Sequence, residues 1–166
     1  MKKIVFLLFI IISLFVLKEH KKSLLIPDNA IRIRVIANSD TLFDQETKSK
    51  IKNEVSYYLY DKLKNIDNYN DADSIIKSNI NNVKNIINNY VDKYEINYGV
   101  NNFPEKEYRG IKYDEGKYQS LVIKLGQGDG ENFWCVLFPP LCLIDEENMS
   151  DATYTFYIKE LLNKIK

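Results

Sequence analysis

Few side chains in this sequence are equipped for chemistry. It holds one histidine, His20, and two cysteines, Cys135 and Cys142. Zinc sites built on several imidazoles are therefore excluded, as is a four-thiolate centre. Any histidine-based catalytic centre has to use His20. Cys135 and Cys142 are separated by seven positions. On a continuous strand they would face opposite ways and lie roughly 23 Å apart, far beyond disulfide reach. A disulfide between them requires the intervening Pro139-Pro140 segment to turn the chain back. The alternative is two buried thiols acting as small apolar side chains.

Carboxylates occur in pairs: Asp40 with Asp44, Asp71 with Asp73, and Glu105 with Glu107. Helix caps or loop exposure account for each, so acid–base work on sugars is the weaker reading. Asp145-Glu146-Glu147 lacks the further patterned oxygens of a calcium loop. The run Gly126-Gln127-Gly128-Asp129-Gly130 has the wrong spacing for a dinucleotide fingerprint, and a strand pattern follows it where a helix should. It reads as a glycine-rich hairpin loop. No residue pattern implies a cofactor or a resident metal.

These residues sit in a chain of 166 residues with Lys+Arg 23 and Asp+Glu 23. That balance argues against binding nucleic acid through phosphate neutralisation. An apolar content of 45% supports a packed core and one domain. The N-terminus stands apart. Ile4–Leu17 is apolar except for Ser13, with Lys2 and Lys3 before it and a charged flank containing His20 after it. This is the pattern of a signal peptide or N-terminal membrane anchor, read over residues 1–22. The run spans only ~21 Å as a helix against a hydrocarbon core of ~30 Å. No small-x-small cleavage site follows before Pro27, which favours retention as an anchor. Residues 23–29 form a linker, and residues 30–166 a single extracytoplasmic α+β domain.

Within that domain, Ile31, Ile33 and Val35 alternate with Arg32, Arg34 and Ile36, a strand with one buried face. Thr41 with Asp44 has the spacing of a helix cap. The following helix carries Ile51, Val55, Leu59 and Leu63 on one face. A second helix, capped by Asp71 or Asp73, carries a stripe from Ala72 to Val91. Strand patterns then cover Tyr94–Val100, Tyr118–Leu125 and Phe133–Phe138, with a turn at Asn101-Asn102 and an irregular stretch from Phe103 to Gly116. Leu121-Val122-Ile123 marks the middle of these as central. Pro139-Pro140 takes the chain out of the sheet. Ser150 can cap a last helix, although residues 153–158 also suit a strand. The order β-α-α-β-β-β with a C-terminal helix predicts a two-layer α+β fold, helices packed on one face of a mixed or antiparallel sheet.

Several of these segments resemble one known family. Ile31-Arg32-Ile33-Arg34-Val35-Ile36-Ala37-Asn38-Ser39-Asp40 resembles the opening signature of stage II sporulation protein R. Phe103-Pro104-Glu105-Lys106-Glu107-Tyr108 is similar to its F-P-x-K-x-Y stretch. The run from Leu125 through the glycine loop to Trp134-Cys135-Val136-Leu137-Phe138-Pro139-Pro140-Leu141-Cys142 resembles its most specific signature. Departures are Thr41-Leu42-Phe43-Asp44 for the usual S-P-E-D, Asp114-Glu115-Gly116 for P-A-G, and Phe133 for a tryptophan.

The resemblance implies a non-catalytic signalling protein of endospore formers. Such a protein is exported from the forespore into the space between forespore and mother-cell membranes. There it activates a membrane-embedded aspartic-type protease that processes the mother-cell pro-sigma-E factor. Partner contacts are expected at Asn38, Ser39, Asp40, Phe103, Pro104, Lys106, Tyr108, Gly126, Gly128, Gly130, Asn132, Trp134, Pro139 and Pro140. The loops among them, 103–108, 126–132 and 139–142, are expected at one end of the sheet. The competing expectation is an extracytoplasmic enzyme, such as a cell-wall hydrolase using Asp40 and Glu105.

Overall fold

A computed structural model describes residues 29–108 and 111–142. The N-terminal apolar run and the expected C-terminal element both lie outside those residues. Among the described residues no helix is long and apolar enough to cross a membrane.

Strand β1 (Ile31–Ile36) buries Ile31, Ile33 and Val35 completely. Helix α1 (Leu42–Leu63) begins where expected, with the Thr41 hydroxyl accepting from the Asp44 N–H at 3.3 Å. Its turns bring Ile51, Val55, Leu59 and Leu63 onto one buried stripe. The expected second helix is two: α2 (Tyr69–Ser78) and α3 (Ile80–Asn88). Asn68, not Asp71 or Asp73, caps α2 by accepting from the Asp71 N–H at 2.9 Å. Asn79 causes the break. Its side-chain amide donates to the Ile75 carbonyl at 2.8 Å, competing for the helix ladder. The stripe survives the break, since Ala72, Ile76, Val83 and Ile87 are all buried.

Strand β2 (Tyr94–Phe103) runs through Asn101-Asn102, where a turn was expected. Asn101 stays in the ladder because its side-chain amide reaches the Ser120 hydroxyl (3.0 Å) and the Gly99 carbonyl (3.1 Å). The stretch expected to be irregular contains a small antiparallel ribbon, β3 (Lys106–Tyr108) with β4 (Ile111–Tyr113). Strands β5 (Gly116–Leu125) and β6 (Asn132–Phe138) complete the main sheet.

The sheet order is β2-β5-β1-β6, with β1 parallel to β5 and antiparallel to β6. The fold is α+β, with three helices and a four-stranded mixed sheet among the described residues. Ile33, Leu121, Ile123, Ile96 and Tyr98 share the face packed against the helices. Arg32, Arg34, Ser120, Val122, Trp134 and Phe103 share the opposite face.

This order overturns the hairpin reading of the glycine loop. β5 and β6 are not neighbours, because β1 lies between them. The loop must therefore span two strand spacings, about 10 Å, across the end of β1.

Candidate functional site

The parallel pairing of β1 with β5 distributes the singled-out residues. The end of β1, the end of β5 and the start of β6 meet at one edge of the sheet. The end of β2, the start of β5 and the end of β6 meet at the other. The Gly126–Asn132 loop thus joins Asn38, Ser39 and Asp40 at the first end. Phe103–Tyr108 and Pro139–Cys142 lie at the second. A single contact end built from all three loops is excluded by this topology.

At the first end the loop and the Asn38–Asp40 turn interlock. Asp129 N–H donates to the Asn38 carbonyl and Gly130 N–H to the Ala37 carbonyl, both at 3.1 Å, while Ala37 N–H reaches the Glu131 carbonyl at 3.4 Å. Side chains complete the bracing. The Asn38 Oδ1 accepts from Gln127 N–H at 2.9 Å, and an Asp40 oxygen accepts from Glu131 N–H at 2.6 Å. Gln45 donates to the Ser39 carbonyl and to Asp40, and Lys48 donates to the Glu131 carbonyl at 3.0 Å. Asp44 accepts from the Ser39 hydroxyl and from the Asn38 amide. Those bonds, Ser39 first and Asn38 next, hold the Asp44 carboxyl below its usual range.

Glycine is required here for closeness. A Cβ on Gly130 would stand 2.3 Å from the Ser39 carbonyl oxygen, and Gly128 has φ +71°. Beside this bracket lies an open cleft of about 320 Å³, lined by Asn38, Asp44, Thr47, Val91, Asp92, Lys93, Leu125 and Gly126. Leu42 and Phe43, at the start of α1, are each 76% exposed.

The second end is aromatic. The Phe103 ring meets the Trp134 ring edge-on at 4.9 Å and the Tyr118 ring at 6.0 Å. The Arg32 guanidinium lies 3.3 Å from the Tyr118 centroid, and that of Arg34 lies 4.5 Å from Trp134. Phe103 and Trp134 are only 4% and 5% exposed, so they support this end from within. Pro104 and Lys106 are exposed, Pro139 is buried, and Pro140 is half-buried. Tyr108 lies in β3. The Nε of Arg34 and the Oδ1 of Asn132 are enclosed without a hydrogen bond among the described residues. Burial lowers the Arg34 pKa. Sequence reading singled out neither arginine, although their alternation with Ile31, Ile33 and Val35 already placed them together on the other face.

The Pro139-Pro140 segment does turn the chain back. Leu141 N–H donates to the Val136 carbonyl at 3.2 Å, and the Phe138–Pro139 peptide is cis. Cys142 Sγ comes to 3.0 Å from that same carbonyl and Cys135 Sγ to 3.9 Å. Both thiols are free.

The geometry also tests the carboxylate pair. Asp40 follows β1 and Glu105 follows β2, at opposite ends of the sheet. The six residues of β1 alone set them about 20 Å apart along the strand direction. A glycosidase pair needs about 5–10 Å. One Asp40 oxygen is moreover occupied by the Glu131 and Gln45 donors. Among the described residues no cluster of three or more His, Cys, Asp or Glu could hold a metal ion.

Comparison with known proteins agrees with the signatures. A family model described as stage II sporulation protein R matches residues 27–148. Stage II sporulation protein R of Bacillus subtilis (strain 168) is 37% identical over 137 residues, covering 79% of this chain and 61% of that protein. The chain thus spans under two thirds of the length of that curated relative. No solved structure matches. With the match running from residue 27 through both ends of the sheet, the chain belongs to the stage II sporulation protein R family.

Proposed function

We propose that this chain is an exported sporulation signal that activates a membrane-embedded aspartic-type protease, which then processes the mother-cell pro-sigma-E factor. Family membership supports the sporulation role. The carrying observation is the bracket at the first end of the sheet. Its carboxylates and amides are spent on holding a loop and a turn rigid, which suits recognition better than proton transfer. A surface held in one shape loses little entropy on binding, so more of its contact energy appears as affinity.

In this reading the chain is not an enzyme. The peptide-bond chemistry belongs to the partner, and this chain supplies differential affinity for the partner's active state. A tenfold shift in that equilibrium needs about 1.4 kcal/mol of preference. The N-terminal segment delivers the domain across the forespore membrane into the intermembrane space, as a cleaved signal or as an anchor. The partner-facing residues are Asn38, Ser39, Asp40 and the Gly126–Asn132 loop. Pro104, Lys106, Tyr108, Pro139 and Pro140 form a separate, second contact region.

The test is reconstitution. The chain is added to liposomes holding the protease and its sigma-factor precursor, and precursor cleavage is followed. Cleavage that rises with added chain supports the proposal. No cleavage from a folded chain, with the protease competent by an independent assay, sinks it.

A further inference from the structure

We propose that Cys135 and Cys142 close into a disulfide when the chain meets an oxidising compartment, turning the Pro139-Pro140 loop from a hydrogen-bonded turn into a covalent clasp. The structure brings together two thiols that a straight strand would hold far apart. Both sulfurs converge on the Val136 carbonyl, at 3.0 and 3.9 Å. Cys135 lies within β6 and Cys142 just beyond it, and among the described residues β6 pairs with β1 alone. Among the described residues, Leu141 N–H fastens the turn by donating to the Val136 and Pro139 carbonyls.

Other roles fit the pair poorly. No histidine lies among the described residues to activate either sulfur, and the cysteines belong to no metal-binding cluster there. Burial pushes the Cys142 thiol well above its ordinary pKa, so the closed turn disfavours the reactive thiolate. Closure therefore runs through an opened turn, before packing is complete. One protein thiolate attacks a small-molecule disulfide, such as oxidised glutathione, forming a mixed disulfide and releasing one thiolate. The second protein thiolate then attacks the protein sulfur of that mixed disulfide and releases the other. Two protein thiols are oxidised by two electrons, one small disulfide is reduced to two thiols, and the two protons leave on them. In a reducing cytosol the pair stays open. The inference is independent of the protease reading, since it needs only an oxidising environment.

The experiment uses the full chain, incubated with oxidised glutathione, quenched in acid, unfolded and alkylated. Mass spectrometry is expected to find no alkylated cysteine and a mass lower by two hydrogens, with no dimer on a non-reducing gel. Reductant before alkylation restores two labelled sites. Two labelled cysteines without reductant, glutathione left on either one, or a disulfide-linked dimer would each overturn the proposal. A second measurement compares unfolding of the oxidised and reduced chains. Closing an eight-residue loop should shift the folding equilibrium roughly 50- to 100-fold toward the native state. The double variant Cys135→Ser/Cys142→Ser should behave as the reduced chain whether or not glutathione is present. Equal unfolding of the oxidised and reduced chains would overturn the clasp.

Discussion

Gly130 lies where the loop after β5 passes over the turn after β1, and it is the position at which the bracket is most open to attack. In Gly130→Ala the new Cβ would stand 2.3 Å from the Ser39 oxygen, 2.5 Å from its carbonyl carbon and 2.9 Å from the Ala37 Cβ. Two of those atoms are backbone and cannot rotate aside, so the loop must lift by about 1 Å. Lifting it breaks or weakens the three backbone bonds between loop and turn. At about 0.5–1.5 kcal/mol net each, those bonds alone put the cost at about 2–4 kcal/mol. In urea that lowers the unfolding midpoint by about 1–2 M for a typical slope of this size class. The assay is fluorescence of Trp134, the single tryptophan, which is buried on the sheet face opposite the helices and so reports global unfolding. Gly99→Ala is the control, because its Cβ would meet nothing closer than the Asn97 side chain at 3.6 Å. If the two variants unfold at the same urea concentration, the bracket does not hold the fold as argued.

Other outcomes follow from the same contacts. Asn38→Ala should cost about 1–2 kcal/mol, because it leaves the Gln127 N–H without its partner and removes one of the two donors to an Asp44 oxygen; amide hydrogen exchange should speed up at Gln127 first. Asp44 has a folded pKa below its unfolded value, so its contribution is present above about pH 4 and is lost as pH falls through the folded pKa. Asp44→Asn should therefore flatten the acid limb of a stability–pH curve, and an unchanged limb would refute that linkage. Tyr98→Phe removes a 2.9 Å bond to Asp73 and should cost about 1 kcal/mol by thermal unfolding. Leu59→Ala, at a fully buried position on α1, should cost about 2–5 kcal/mol, whereas Tyr57→Ala, 65% exposed, should stay within about 0.5 kcal/mol.

Much of this was written along the chain. Period-2 alternation at Ile31–Ile36 and the Thr41–Asp44 cap are local properties, fixed by side-chain direction and by the first turn of a helix, and both appear where read. So does the central place of Leu121–Ile123, because only a strand covered on both sides tolerates that run. The family signatures were equally legible. Misreadings came where one side chain settled a backbone choice that its residue type leaves open. Asn79 breaks a helix, while Asn101 continues a strand by finding Ser120 across the ladder.

The site itself was decided by the tertiary structure. Sequence named Asn38–Asp40 and the glycine loop as separate features, and only the insertion of β1 between β5 and β6 makes them one bracket. The same pairing sends Phe103–Tyr108 and Pro139–Cys142 to the far end and parts Asp40 from Glu105. Strand order depends on which pairings bury the most apolar surface over distant segments. A periodic pattern states which face of a strand is buried, but it carries no information about which strand lies beside it.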